Sequence, residues 1–185
     1  MFRLFVAIDL PDSIKQQLIR FSGGVPGAHW LEPSQLHITL KFIGQVDGGV
    51  ARDVVETLHE VEADSFELTL KGVGHFPPRK KPEQIWVGIK QSDQLIILHN
   101  RIESALARLG LPREGRKFAP HATLANLKGT KDNRVAAFLA EYNLYESEPF
   151  PVNEFCLFSS VLSSQGALHE IEATYPLNLH GEKSE

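Results

Sequence analysis

Two short segments constrain this chain more than any other feature. Leu36-His37-Ile38-Thr39-Leu40 and Pro120-His121-Ala122-Thr123-Leu124 share the pattern His, any residue, Thr, Leu, and lie 84 residues apart in a chain of 185. Apolar and polar residues alternate in both, the period-two pattern of a strand with one buried and one polar face. Residues two apart in a strand point the same way, so His37 and Thr39 share a face, as do His121 and Thr123. Each copy is followed by an amphipathic helical pattern and then a strand pattern, the echo expected of a duplication into two lobes.

The rest of the chain fits that scheme. Phe2–Leu10 is rich in aromatic and β-branched residues and stops at Pro11, predicting a strand followed by a helix over Ser13–Phe21. Gly23–Gly27 breaks the chain, and Gly44 is expected to end the Leu36–Phe42 strand. Gly49–Glu62, Asp93–Leu109 and Asp132–Tyr142 have helical spacing of apolar residues. Phe66–Val73, Gln84–Lys90, Phe150–Leu162 and Ala167–Pro176 are predicted strands, the first two joined by a basic loop with three prolines. The irregular alternation lacks the evenly spaced units and glycine fingerprint of a doubly wound nucleotide-binding fold. It predicts an α+β protein with antiparallel sheets, a single bilobal domain over residues 1–180 and a frayed tail at 181–185.

Composition narrows the class. Hydrophobic residues make up 42% and charged residues 23%, the balance of a globular chain rather than a disordered or coiled-coil one. A formal net charge of −4 means that nucleic-acid contact must come from a local basic patch. The one cysteine, Cys156, cannot form an internal disulfide, which fits a reducing cytoplasm; its apolar surroundings predict a buried, inert thiol. No run approaches the roughly 18 apolar residues needed to span a bilayer, and neither a signal peptide nor a membrane anchor is visible. The expected state is a cytoplasmic monomer.

The two dyads carry the chemistry. An imidazole with a pKa near 6.5 accepts a proton when neutral and donates one when charged, so two imidazoles on opposite sides of a phosphate can run a displacement at neutral pH without a metal. Thr39 and Thr123 supply hydroxyls for nonbridging phosphate oxygens, and Lys41, next on the same polar face as His37, would add positive charge. The other histidines give weaker signals. His59 and His99 lie on predicted helices, where packing or solvent-facing roles are expected; His29, His169 and His180 have no partner at an interpretable spacing, and His75 reads as structural. The chain has no His-Glu-x-x-His, paired Cys-x-x-Cys, Walker loop or Gly-x-Ser-x-Gly elbow, which disfavours zinc hydrolysis, ATP-driven chemistry and a serine hydrolase. Arg79-Lys80-Lys81 and Arg113–Lys117 are basic loops that can guide a phosphodiester, with Phe76 or Phe118 available to stack a base.

Read in order, Trp30-Leu31-Glu32-Pro33, Leu36–Gly44, Gly74-His75-Phe76-Pro77, Ile85-Trp86-Val87-Gly88, Pro120–Ala125 and Phe158-Ser159-Ser160 resemble the RNA 2′,3′-cyclic phosphodiesterases, also called 2′-5′ RNA ligases, of the two-histidine phosphoesterase superfamily. The resemblance runs from Phe2 to about Leu179. It implies a bilobal α+β fold with a cleft between two antiparallel sheets and helices outside. It also implies cofactor-independent and metal-independent hydrolysis of RNA 2′,3′-cyclic phosphate ends to 2′-phosphates, on tRNA fragments or oligonucleotides, with 2′-5′ ligation as the reverse reaction. By resemblance His37 is the proton donor and His121 the proton acceptor, while Thr39 and Thr123 bind phosphate. Many relatives continue the second motif with Arg, whereas Asn126 stands here. That departure keeps open a non-catalytic module that binds RNA ends.

Overall fold

The structure is a computed structural model and describes residues 1–179. The expectations for His180 and for a frayed tail at residues 181–185 fall outside the described residues. In chain order the elements are β1 (Phe2–Asp9), α1 (Asp12–Ile19), β2 (Ala28–Trp30), β3 (His37–Val46), α2 (Gly48–Leu58), β4 (Phe66–Leu68), β5 (Leu70–Phe76), β6 (Gln84–Ile89), α3 (Asp93–Arg108), β7 (His121–Leu127), α4 (Asp132–Tyr142), β8 (Phe150–Val152), β9 (Glu154–Ser163) and β10 (Gly166–Pro176). A 3₁₀ turn over Pro33–Gln35 leads into β3.

The fold is α+β, with two four-stranded antiparallel sheets of order β10-β9-β1-β3 and β2-β7-β6-β5, and a small β4-β8 pair. The element order repeats: β1-α1-β3-α2-β4-β5 matches β6-α3-β7-α4-β8-β9. The repeats exchange their last strands. β5 of the first half pairs with β6 of the second, β9 of the second pairs with β1 of the first, and β4 pairs with β8. Each half thus completes the other's sheet, and the buried side chains form one main cluster spanning both.

Local chemistry explains the boundaries. Asp47 caps α2 by accepting a bond from Val50 N at 2.9 Å, and Ser92 caps α3 through Leu95 N at 3.2 Å. Val54 and Leu58 of α2 and Leu95, Leu98, Ile102 and Leu106 of α3 are fully buried, the stripes that helical periodicity predicts. Three predicted boundaries change. The strand expected over Phe66–Val73 is two strands in different sheets, divided at Thr69, and Phe150–Leu162 is likewise divided at Asn153. Gly44 does not end β3: with φ of +86° it accommodates an irregularity beside Ile43, and pairing resumes to Val46. Cys156 is buried against Phe5, Ala7 and Phe158, and burial pushes its thiol pKa up. Among the described residues no helix is long and apolar enough to cross a membrane.

Candidate active site

The two His-x-Thr segments lie on β3 and β7, one in each large sheet, and converge on one cleft of about 230 Å³. His37, Thr39, His121 and Thr123 all line it. In β3, Asp9 pairs with His37 and Ala7 with Thr39; in β7, Gly88 pairs with His121 and Trp86 with Thr123. The alternate residues Ile38, Leu40, Ala122 and Leu124 are buried on the other faces, so each dyad stands on a strand anchored in the core.

The two imidazoles have different surroundings. His121 Nδ1 lies 2.7 Å from Ala119 O, and since a carbonyl only accepts, Nδ1 carries the proton and neutral His121 keeps Nε2 as a lone-pair base. The Phe76 ring meets it edge-on at 4.8 Å, and burial lowers its pKa against the opposing pull of the Ala119 carbonyl. His37 lies deeper. Its ring is tilted against Phe5 at 4.9 Å, and its Nδ1 is buried without a hydrogen-bond partner. The Gln35 backbone, placed as Ala119 is for His121, favours the charged form without completing a bond. Burial first, then the charges of His169, Lys15 and His121, pushes the His37 pKa down to about 4.

The structure adds residues that the sequence pattern does not reveal. His169 of β10 meets the His37 ring edge-on at 5.3 Å and lines the cleft, and its own pKa is lowered by burial. His29 of β2, Gln35, Gln84 and Asn126 complete the polar wall, with Gln84 Nε2 donating to Asn126 Oδ1 at 3.1 Å. His29 and His169 come from short or edge strands whose neighbours are set by long-range pairing, so no local spacing marks them. Asn126 is the exception, since the resemblance already marks its position as the one where many relatives carry Arg.

Lys41 is corrected. It does not share the polar face of His37. Between Thr39 and Lys41 the β1-β3 register slips by one residue, so Leu40 and Lys41 are both buried on the inner side and Phe42 emerges, exposed, at a hollow adjoining the cleft that His37, Thr39 and His169 also line. Lys41 Nζ instead donates to Pro112 O at 2.7 Å and sits 3.0 Å from Glu103 Oε1. Phe118 is also committed elsewhere, stacked on His99 with centroids 3.8 Å apart. His59, exposed just past the end of α2, meets the Tyr175 ring edge-on at 4.9 Å. The basic run Arg79-Lys80-Lys81 is exposed on the loop beyond Phe76. Among the described residues no group of three or more His, Cys, Asp or Glu side chains can hold a metal ion.

Comparison with known proteins gives a consistent family. A sequence profile of the 2′-5′ RNA ligase superfamily matches residues 10–162. An RNA 2′,3′-cyclic phosphodiesterase of Archaeoglobus fulgidus is 33% identical over 171 residues, covering 91% of this chain and 96% of its own. Another, from Thermotoga maritima, is 29% identical, covering 91% and 92%. The crystal structure of Escherichia coli LigT complexed with 3′-AMP superposes with a TM-score of 0.77 at 25% identity, covering 95% of this chain and 98% of that one. The fold is also shared with TT0787 of Thermus thermophilus, with a TM-score of 0.78 at 23% identity, covering 96% and 99%.

Proposed function

The chain belongs to the 2′-5′ RNA ligase superfamily, and we propose that it hydrolyses RNA 2′,3′-cyclic phosphate ends to 2′-phosphates by acid–base catalysis between His121 and His37. The observation that carries this reading is the meeting of two His-x-Thr dyads, one from each half of the chain, across a single cleft.

In this reading the cyclic phosphate lies between the rings, its nonbridging oxygens accepting hydrogen bonds from Thr39 and Thr123. Neutral His121, its Nδ1 proton held by Ala119 O, takes a proton from water on Nε2 as the water oxygen attacks phosphorus. The bond from phosphorus to the 3′ oxygen breaks, and His37 gives its proton to that oxygen, leaving a 3′-hydroxyl and a 2′-phosphate. With a pKa of about 4, His37 is neutral at pH 7 in the protein alone. A phosphate anion between the rings favours the charged imidazole and supplies the acid form on binding. In the same direction, with a terminal hydroxyl of a second RNA attacking phosphorus in place of water, His121 takes the hydroxyl proton, the bond to the 3′ oxygen breaks with His37 protonating it, and the two RNA ends are joined, drawing on the strain of the cyclic ester rather than ATP.

The substrates that fit are oligonucleotides or tRNA fragments ending in a 2′,3′-cyclic phosphate, acted on in the cytoplasm. The test is incubation in EDTA with an oligoribonucleotide carrying that end, followed by product analysis. Release of a 2′-phosphate is expected. Binding without turnover would instead assign an RNA-end recognition module, and a 3′-phosphate product would reverse the leaving oxygen.

A further inference from the structure

Behind the cleft, the β3 bulge is gripped by an element of the other half. The bulge turns the Leu40 carbonyl and the Lys41 side chain away from the cleft and toward α3, which belongs to the second repeat. His99 and Glu103 are four residues apart and so share one face of that helix. His99 donates from Nδ1 to Leu40 O at 2.8 Å. Glu103 meets Lys41 at 3.0 Å, outside hydrogen-bond alignment, while Lys41 directs its hydrogen bond to Pro112 O in the segment between α3 and β7. The His99 ring lies flat on Phe118, with an interplanar angle of 2°. Phe118 adjoins Ala119, whose carbonyl fixes the His121 ring at 2.7 Å.

These contacts form an unbroken path from the His37 strand to the His121 ring that never enters the cleft. We propose that His99, with the Lys41–Glu103 pair, is a positioning device that sets the two cleft histidines relative to each other across the halves of the molecule. The proposal rests on the reading of His37 and His121 as the acid–base pair. Two features separate it from plain packing. A buried ion pair can often be replaced by apolar residues without loss of stability, so one retained at a joint between halves, 95% and 93% removed from solvent on its two side chains, is better explained by register than by stability. The same face of α3 also holds both sides at once, β3 through Leu40 and Lys41 and the approach to β7 through Phe118, while Lys41 itself ties β3 to Pro112 on that approach.

The experiment compares wild type, Lys41→Met, the double variant Lys41→Met/Glu103→Met and His99→Phe. His99→Phe keeps an aromatic ring against Phe118 and deletes the donor to Leu40. Three quantities are measured: thermal unfolding, kcat and KM on an oligoribonucleotide with a 2′,3′-cyclic phosphate end, and the imidazole ¹⁵N spectrum of His121 without substrate. Lys41→Met should lower the unfolding temperature by stranding Glu103, and the double variant should recover it. The double variant and His99→Phe should still lose roughly 10 to 100-fold in kcat, the scale of a small misplacement of reacting groups, with KM little changed. Both should shift His121 from the Nδ1–H tautomer to a mixture. An unchanged His121 spectrum in both overturns the proposal, whether kcat falls or not. If the double variant does not fold, His99→Phe decides alone. If wild type turns over no substrate, the proposed function fails while the ¹⁵N comparison still tests the positioning device.

Discussion

Leu40 of β3 and Leu124 of β7 are equivalent bulge residues, each interposed where the pairing of its strand slips by one. In the first half Ala7 pairs with Thr39 and Val6 with Lys41; in the second Trp86 pairs with Thr123 and Ile85 with Ala125. Each bulge buries two successive residues and returns the strand to the site face, at Asn126 in the cleft and at Phe42 in the hollow beside it. The leucine shared by the two motifs therefore has a backbone role, and the Leu124 carbonyl freed there accepts from Leu31 N at 2.9 Å.

His37→Ala and His121→Ala should each lower kcat by about 10² to 10⁴-fold, the usual contribution of a general acid or base. The check is steady-state hydrolysis of a cyclic-phosphate oligoribonucleotide, with circular dichroism to establish folding. Either variant retaining wild-type kcat would remove that imidazole from the chemistry.

The pH dependence follows from the lowered imidazoles. kcat/KM reports the free protein, where His37 must be charged to donate and titrates near 4, while His121 must be neutral to accept and titrates below its ordinary 6.5. Both limbs of the kcat/KM profile should thus lie below pH 6.5. The kcat profile should move to higher pH because bound phosphate stabilises charged His37. A kcat/KM maximum at pH 8 would contradict the assignment.

Stability should also depend on pH through His37. Its folded-state pKa of about 4 lies below the ordinary 6.5, so between those values the unfolded chain binds a proton that the folded chain does not. Stability is greatest above pH 6.5 and declines as pH falls toward 4, with His121 and His169 adding the same sign. Urea midpoints at pH 7, 5.5 and 4.5 measure the slope, and His37→Phe should flatten it.

Gly74 lies under the Trp86 ring, and a Cβ there would sit 2.3 Å from Trp86 Cζ2. Trp86 in turn packs on Phe76 at 5.4 Å, and Phe76 on His121 at 4.8 Å. Gly74→Ala should cost about 1–3 kcal/mol of stability, the range for overpacking, and should lower kcat by displacing that aromatic stack. Thermal unfolding and tryptophan fluorescence test the first effect, turnover the second.

Thr39→Val and Thr123→Val remove the hydroxyls without changing shape much. Each should weaken catalysis by about 10 to 100-fold, matching the 1.5–3 kcal/mol of a hydrogen bond to a charged group. Measuring kcat/KM on the same oligonucleotide decides this.

The amino-acid sequence alone determined the four helices, the strands carrying His37 and His121, the repeated organisation and the faces of the two dyads, because amphipathic periods of 3.6 and 2 and the motif recurrence are local properties. The tertiary structure decided what no local period encodes. It split Phe66–Val73 at Thr69 by sending the two pieces to different sheets, brought His169 and His29 to the cleft through strand pairing, and turned Lys41 from an expected phosphate ligand into a buried partner of Glu103. Strand pairing between distant segments sets the first two, and for Lys41 the reason is the bulge at Leu40: one extra residue inverts the parity of the positions that follow it up to the second irregularity at Ile43, and whether a strand bulges depends on the neighbour it must match.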